Sequence, residues 1–382
     1  MRPSVVRTAL SLTVVALVMS IASTRTDAHK GVTSKYTYND DVYPILKAKC
    51  GRCHADNGPT PMSLLTYQEG GGAVAWAQSI REMLMAEAMP PWHVDPTGPA
   101  VKNSHSITPH EMDILITWAS GGTPQGDQLK KPGPSQVVSQ WSLGTPDATL
   151  ALTEYALPVG TMEASTDMTV ATNFTEAKWV KAVDLLPGTP SLVRQATIAI
   201  DGGQTLAVWE PADDAVTAPG GTAFKIPAGA KLKVHIRYKK GWQDEQSAKA
   251  DKSTIAFYFT DEPLSGKEIE AFAVEPPAGE APPRFSRTLP TGGRVLAIRP
   301  QVDRAYAAVE INAVAASGRK VPLLKLRGVR PEWPRRYWLA DPVELPKGTT
   351  IEVSTTPGDE DTGPLGPAVK SPLQFSLDLV AQ

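Results

Sequence analysis

Five consecutive residues, Cys50-Gly51-Arg52-Cys53-His54, hold both cysteines of the chain beside one of its six histidines. The C-x-x-C-H spacing is the one used for covalent attachment of c-type haem. A single helical turn sets two sulfurs over two vinyl groups, and the adjacent imidazole then comes under the iron. Other cysteine chemistries fit less well. A structural zinc site needs about four ligands, and the chain has no second cysteine pair. A thioredoxin-like C-x-x-C is not expected beside an export signal and these flanks. Two cysteines this close also leave no disulfide framework to draw across 382 residues.

Iron held by His54 needs a sixth ligand or an open position. The candidates are Met62, Met83, Met85, Met89 and Met112, with His93, His105 and His110. Met83 and Met85 fall inside a helical run from Ala73 to Ala88, where long apolar side chains serve a core. Met89 opens Met89-Pro90-Pro91-Trp92, whose two prolines lack N–H groups and favour an extended, rigid segment that can hold a thioether against iron. It is the expected distal ligand; Met62, a histidine and an open site are the alternatives. His/Met ligation raises the reduction potential and leaves no position for oxygen chemistry. The expected role is therefore electron carrier, not catalyst. His93, His105 and His110 read as surface or haem-propionate neighbours, with His110 exposed.

Helices must position these groups. Asn39-Asp40-Asp41 offer caps to a helix that places Val42, Ile45 and Leu46 on one face, and Pro44 is tolerated in its first turn. Thr108-Pro109-His110-Glu111 is a capping box with proline at the first helical position, and Ile107 with Met112 fits a hydrophobic staple. That helix continues through Leu115 and Trp118 and stops at Gly121-Gly122. Ahead of all this, Arg2 and Arg7 precede an apolar run from Ala9 to Ala22. The run is shorter than the roughly 20 residues of a bilayer span, so residues 1–28 read as an export signal. Cleavage after Ala22 or Ala28 fits the small residues there. The second choice leaves His29 as the new N-terminus, whose copper-chelating potential nothing else supports. A periplasmic or otherwise exported protein, not membrane-spanning after cleavage, is expected.

Net charge is −2, from 38 basic and 40 acidic residues, which removes polyelectrolyte attraction to nucleic acid. Gln128 to Pro134 is rich in Lys, Pro and Gly and suits a boundary. Alternating runs follow at 178–183, 231–238 and 254–259, separated by Pro/Gly turns, and these read as antiparallel strands. The expected organisation is a small all-α unit at 29–127, a linker at 128–145, and all-β sandwiches at 146–265 and 266–382.

The flanks of the haem motif resemble a class I cytochrome c domain, in which first and last helices cross near the haem edge. The order of further motifs resembles bacterial proteins where such a domain precedes a unit like the copper type II ascorbate-dependent monooxygenases. Its carriers are Met89-Pro90-Pro91-Trp92, Gly121-Gly122-Thr123-Pro124, Trp141-Ser142-Leu143-Gly144-Thr145-Pro146-Asp147, Ile226-Pro227-Ala228-Gly229, His235 with Tyr238, Trp333 with Tyr337, and Leu345-Pro346-Lys347-Gly348-Thr349. The resemblance implies one covalent haem c, and two antiparallel, jelly-roll-like sandwiches. It also implies two copper sites built from histidines and a methionine. Here the expected adjacent histidine pair reads Arg194-Gln195, and the expected Pro-His-Met-His run reads Pro300-Gln301-Val302-Asp303. Beyond residue 128 the chain has one histidine, His235, and no methionine after Met168. Two copper sites cannot be assembled, so copper is not expected and His235 reads as an ordinary strand residue. Arg, Gln and Asp at the vacated positions are expected to pair with one another.

Three functions compete: an electron carrier whose sandwiches dock a redox partner, a haem-fed copper monooxygenase, and a structural haem-bearing subunit of an exported complex. From Arg294 to Arg336 there are ten Lys/Arg against three Asp/Glu, read either as solvated strand faces or as a docking surface for an acidic partner, with Arg335 and Arg336 as its test positions. Asp359-Glu360-Asp361 reads as an exposed turn without a metal.

Overall fold

Thr37 starts the first helix. Its hydroxyl caps the Asp40 amide, and the chain winds through a π-helical turn, Tyr38–Val42, into α1, Tyr43–Lys49. Val42, Ile45 and Leu46 turn inward, as their spacing requires. The start lies earlier than Asn39 suggests. Asn39 is buried instead, and its side-chain amide donates to the Asp127 carbonyl at 2.7 Å. These features come from a computed structural model that describes residues 33–68, 71–91, 94–103, 105–133, 135, 140–211, 213–261, 267–278, 282–358 and 372–381. The signal segment 1–28, His29, Trp92, His93 and the acidic run 359–361 lie outside the described residues.

Two further helices follow, α2 (Ala77–Met85) and α3 (Pro109–Ser120). The capping box of α3 is complete: Thr108 Oγ1 accepts from the Glu111 amide at 3.2 Å, and Glu111 Oε2 accepts from the Thr108 amide at 2.8 Å. The helix ends at Gly121, and Gly122 follows with φ +75°. Together the helices enclose their own apolar cluster, in which Tyr38, Leu46, Leu115 and Trp118 are wholly buried. Met85 departs from its expected core place, being 59% exposed.

From Ala148 onward the regular structure is strand and short 3-10 turns, giving a mostly β chain. The first ten strands are β1 (Ala148–Ala151), β2 (Tyr155–Leu157), β3 (Glu163–Ala171), β4 (Lys178–Leu186), β5 (Val193–Ile200), β6 (Thr205–Trp209), β7 (Phe224–Ile226), β8 (Lys231–Lys239), β9 (Lys249–Asp251) and β10 (Thr254–Thr260). They form sheets of order β1-β10-β4-β7 and β3-β8-β5-β6, with a β2-β9 ribbon, and share one apolar core. β8 shows the logic. Leu232, Val234, Ile236 and Tyr238 point inward, and the intervening Lys231 and Lys233 face solvent.

The remaining strands are β11 (Ile269–Val274), β12 (Arg284–Thr288), β13 (Gly293–Gln301), β14 (Tyr306–Val314), β15 (Lys320–Val329), β16 (Tyr337–Leu345), β17 (Thr350–Pro357) and β18 (Gln374–Ala381). Sheets β11-β18-β13-β16 and β12-β17-β14-β15 enclose a second core. Every strand pairing is antiparallel, so the architecture is sandwich-like throughout this part. The two units adhere through apolar contact, since Leu296, Ala297, Trp338 and Val380 of the second join the first unit's core.

A strap ties the helical segment to the second unit. Val94 bridges Leu326, the Asp95 amide donates to the Lys325 carbonyl at 2.9 Å, the Ala340 amide donates to the Ala100 carbonyl at 2.9 Å, and the Lys102 amide donates to the Trp338 carbonyl at 2.8 Å. Residues 94–102 fall inside the stretch expected to be all-α, yet they pair with β15 and β16 through backbone groups, which give no sequence signature.

Candidate functional site

α1 delivers the C-x-x-C-H motif directly. Cys50 caps the helix, and the Cys50 and Gly51 amides both donate to the Leu46 carbonyl at 2.8 Å. One further turn follows, with the Cys53 amide 3.1 Å and the His54 amide 2.8 Å from the Cys50 carbonyl. Gly51 is required here: a Cβ would stand 2.8 Å from the Lys47 carbonyl oxygen and 2.9 Å from a Leu65 methyl. The loop beyond is pinned back, with Thr60 Oγ1 donating to the Cys53 carbonyl at 2.7 Å and the Leu64 amide to the His54 carbonyl at 2.9 Å.

Both cysteines are free. Burial pushes each thiol up to about 12, the reverse of the depressed pKa that a reactive redox dithiol needs. Burial also pushes His54 down to about 4, and its Nδ1 is buried without a hydrogen-bond partner. A neutral imidazole with an unpaired ring nitrogen is the donor state a metal takes. Among the described residues, no group of three or more His, Cys, Asp or Glu converges as a chelating set. A haem c held here would take the two sulfurs in bonds to carbon and only the imidazole at iron.

The structure places Cys50, Cys53 and His54 on one turn. Met89 is half-buried at the exit of α2, with its amide donating to the Met83 carbonyl at 3.3 Å. Met62 is half-buried in the loop after the motif, and His110 is exposed.

The sandwiches contribute a polar shell that sequence reasoning missed. Arg52 makes a bidentate ion pair with Asp214, at 2.6 and 2.5 Å, which raises the guanidinium pKa and lowers the carboxyl. Arg335 pairs with Glu210 and, at 3.3 Å, with Asp213. The charges of Glu210, Arg194, Arg335 and Arg52 all act on Cys53. The only available signal was the acidic loop holding Glu210, Asp213 and Asp214, which resembles any solvated turn.

His105 lies within reach of the Arg52, Arg335, Asp214 and Lys49 charges, and burial followed by Arg52 and Arg335 pushes it down to about 4. The unfolded chain therefore binds a proton between pH 4 and the ordinary histidine value near 6.5 that the folded chain refuses. Stability is lost as pH falls through that window. Urea unfolding of the wild type at pH 6.5 and 4.5 measures the fall, and His105→Gln reduces it.

Two expectations are corrected. Arg335 and Arg336 are 6% and 9% exposed. Arg336 donates to the Leu206 and Thr205 carbonyls at 2.5 and 2.6 Å, pairs with Asp378 at 2.8 Å, and stacks on Phe224 and Trp338. Neither arginine can meet an acidic partner surface. Lys320, Lys325 and Arg327 of the same basic stretch are also matched within the chain, by Glu352, by Asp95 and Glu310, and by Glu87 and Asp95. The vacated positions do not pair with one another. Arg194 donates to the Ser191 carbonyl, Gln195 to Thr197, and Asp303 accepts from Tyr306. His235 is a half-exposed strand residue 3.2 Å from Asp167.

These elements define a mostly β protein of sandwich-like sheets with a short helical segment bearing C-x-x-C-H. No protein-family model and no curated protein matches the chain. Among solved structures, it is similar to a turret protein of Sulfolobus turreted icosahedral virus (10% identity, TM-score 0.16, 62% of this chain and 98% of that one). It is also similar to the CBM22 tandem domain of Paenibacillus barcinonensis Xyn10C (10% identity, TM-score 0.15, 63% and 95%). A Bacillus subtilis oxalate decarboxylase mutant matches at 13% identity and TM-score 0.14, over 57% and 68%. Likeness at this level carries no argument. No helix among the described residues is long and apolar enough to cross a membrane.

Proposed function

We propose that this chain is an exported monohaem c-type cytochrome that transfers electrons, its sandwiches serving as the platform on which the haem-bearing segment is mounted. The observation that carries the reading is the single turn at Cys50–His54, with two free thiols and a half-buried imidazole whose Nδ1 has no hydrogen-bond partner. In this reading Cys50 and Cys53 form the thioether links, His54 is the proximal ligand and Met89 the distal one. The haem supplies reversible one-electron chemistry. The chain's own residues hold His54 neutral and fix its turn through Thr60 and Leu64. The cytochrome c resemblance of the helical segment and the degenerate copper monooxygenase resemblance of the sandwiches belong to the same proposal.

Purified protein is expected to show the reduced spectrum of a c-type haem, about one iron per chain, and no stoichiometric copper. In the oxidised form a weak band at the red edge reports thioether ligation, and Met89→Ala removes it. A band indifferent to Met89→Ala overturns that ligand assignment. Tightly bound copper favours the monooxygenase.

A further inference from the structure

We propose, on the electron-carrier reading, that Glu210 is a proton acceptor coupled to the arrival of an electron at the Cys50–His54 turn. Glu210 follows β6 and is 2% exposed. Its Oε2 is held by Arg335, with Nε at 3.1 Å and Nη2 also in contact. Its Oε1 is buried with no hydrogen-bond partner. That empty acceptor has no role in the fold and is the atom a proton would occupy.

Charge counting around it points the same way. Arg335 is one cation shared by two carboxylates, buried Glu210 and half-buried Asp213, and Arg52 and Asp214 neutralise each other. Arg194 is the further cation whose charge acts on Cys53, and Glu210 shares its direct counter-ion with Asp213. Glu210's charge is felt at the Cys53 thiol, so an electron added beside that turn would face it at low dielectric. A proton removes the conflict. The groups that face Glu210 are Arg335 and Tyr337 from the second unit, Asp213 from its own loop, and Cys53 from the helical segment. Arg52, Asp214, His105 and Arg194 lie one step out. Burial holds the Glu210 and Asp213 carboxyls above their ordinary ranges despite Arg335, which suits proton uptake near neutral pH.

The neighbouring carboxylate meets open space. Asp213 lines a crevice of about 50 Å³ with Lys102, Asn103, Asp214 and Arg336, room for a few waters. With haem bound, an external one-electron donor would supply one electron to it. One proton from solvent passes by way of Asp213 to the Glu210 carboxylate, which becomes a carboxylic acid. Reoxidation releases both.

The test is a potentiometric titration of the haem-bearing full chain from pH 5.5 to 8.5, read optically. The wild-type midpoint potential is expected to fall as pH rises, approaching about 59 mV per tenfold change in proton activity for one electron. Glu210→Gln flattens the line. Asp213→Asn keeps the slope but moves it to lower pH, because one repelling charge is gone. A flat wild-type line, or an unchanged slope in Glu210→Gln, overturns the proposal. Should Glu210→Gln fail to fold, the wild-type infrared difference spectrum decides: a carboxylic C=O band that appears on reduction and shifts in D₂O supports it, and no such band overturns it. Absence of covalent haem sinks the electron-carrier reading and this inference together, whereas covalent haem with a pH-independent potential sinks this inference alone.

Discussion

Arg335→Ala is expected to lower the stability of the full chain by about 3–5 kcal/mol at pH 8, the range for removing one partner of a buried ion pair. The guanidinium sits where three parts of the molecule meet. It is carried on the loop before β16, it holds Glu210 and Asp213 from the first unit, and its charge reaches Cys53 of the helical segment. Without it buried Glu210 loses its direct counter-ion, and half-buried Asp213 keeps only the more distant Arg52 charge. Their folded pKa values, already raised by burial, rise further above the unfolded values. Folding then takes up protons, so the variant's stability falls as pH rises through that window and recovers as pH is lowered. Urea unfolding at pH 8 and 5.5 therefore separates this account from simple loss of packing, which would cost the same at both. Combining Arg335→Met with Glu210→Gln is expected to recover a large part of the loss. A cost below about 1 kcal/mol at pH 8 would mean that the pair is solvated.

Cys50→Ala with Cys53→Ala is expected to abolish covalent haem while leaving the sandwiches folded. Neither cysteine is committed to a disulfide, and both thiols are held protonated by burial. The turn that carries them is fixed by backbone bonds to Leu46 and Cys50 carbonyls, which alanine retains. The apolar cores of the β-units are distinct from the cluster the helices enclose, so far-ultraviolet circular dichroism should keep its strand signature. Loss of haem stain on a denaturing gel together with a preserved strand signal is the expected result. A collapse of the whole chain would show instead that the helical segment and sandwiches fold as one unit.

Local pattern was legible in the sequence, and long-range polar pairing was not. The Thr108–Glu111 capping box, the inward face of Val42, Ile45 and Leu46, and the alternation of β8 depend on neighbours within a few residues, and each appears in the structure. The C-x-x-C-H turn is equally local. Arg335 and Arg336 show the opposite case. A basic run looks the same whether its charges face water or are buried against carboxylates 125 positions and 42 positions away, as with Glu210 and Asp378. Met85 was misread for a related reason: helical periodicity gives a face, but the neighbour that covers the face comes from elsewhere in the chain. The strap at residues 94–102 pairs through backbone groups that every residue carries.

The central claim is that Cys50 and Cys53 hold one haem covalently. Intact-mass measurement of the denatured, reduced full chain, expressed with a haem-attachment system, tests it most directly. A single species heavier than the processed polypeptide by one haem, and unshifted polypeptide mass for Cys50→Ala with Cys53→Ala, is the predicted result. A wild-type chain at the mass of the bare polypeptide, with both thiols open to alkylation once unfolded, would contradict it.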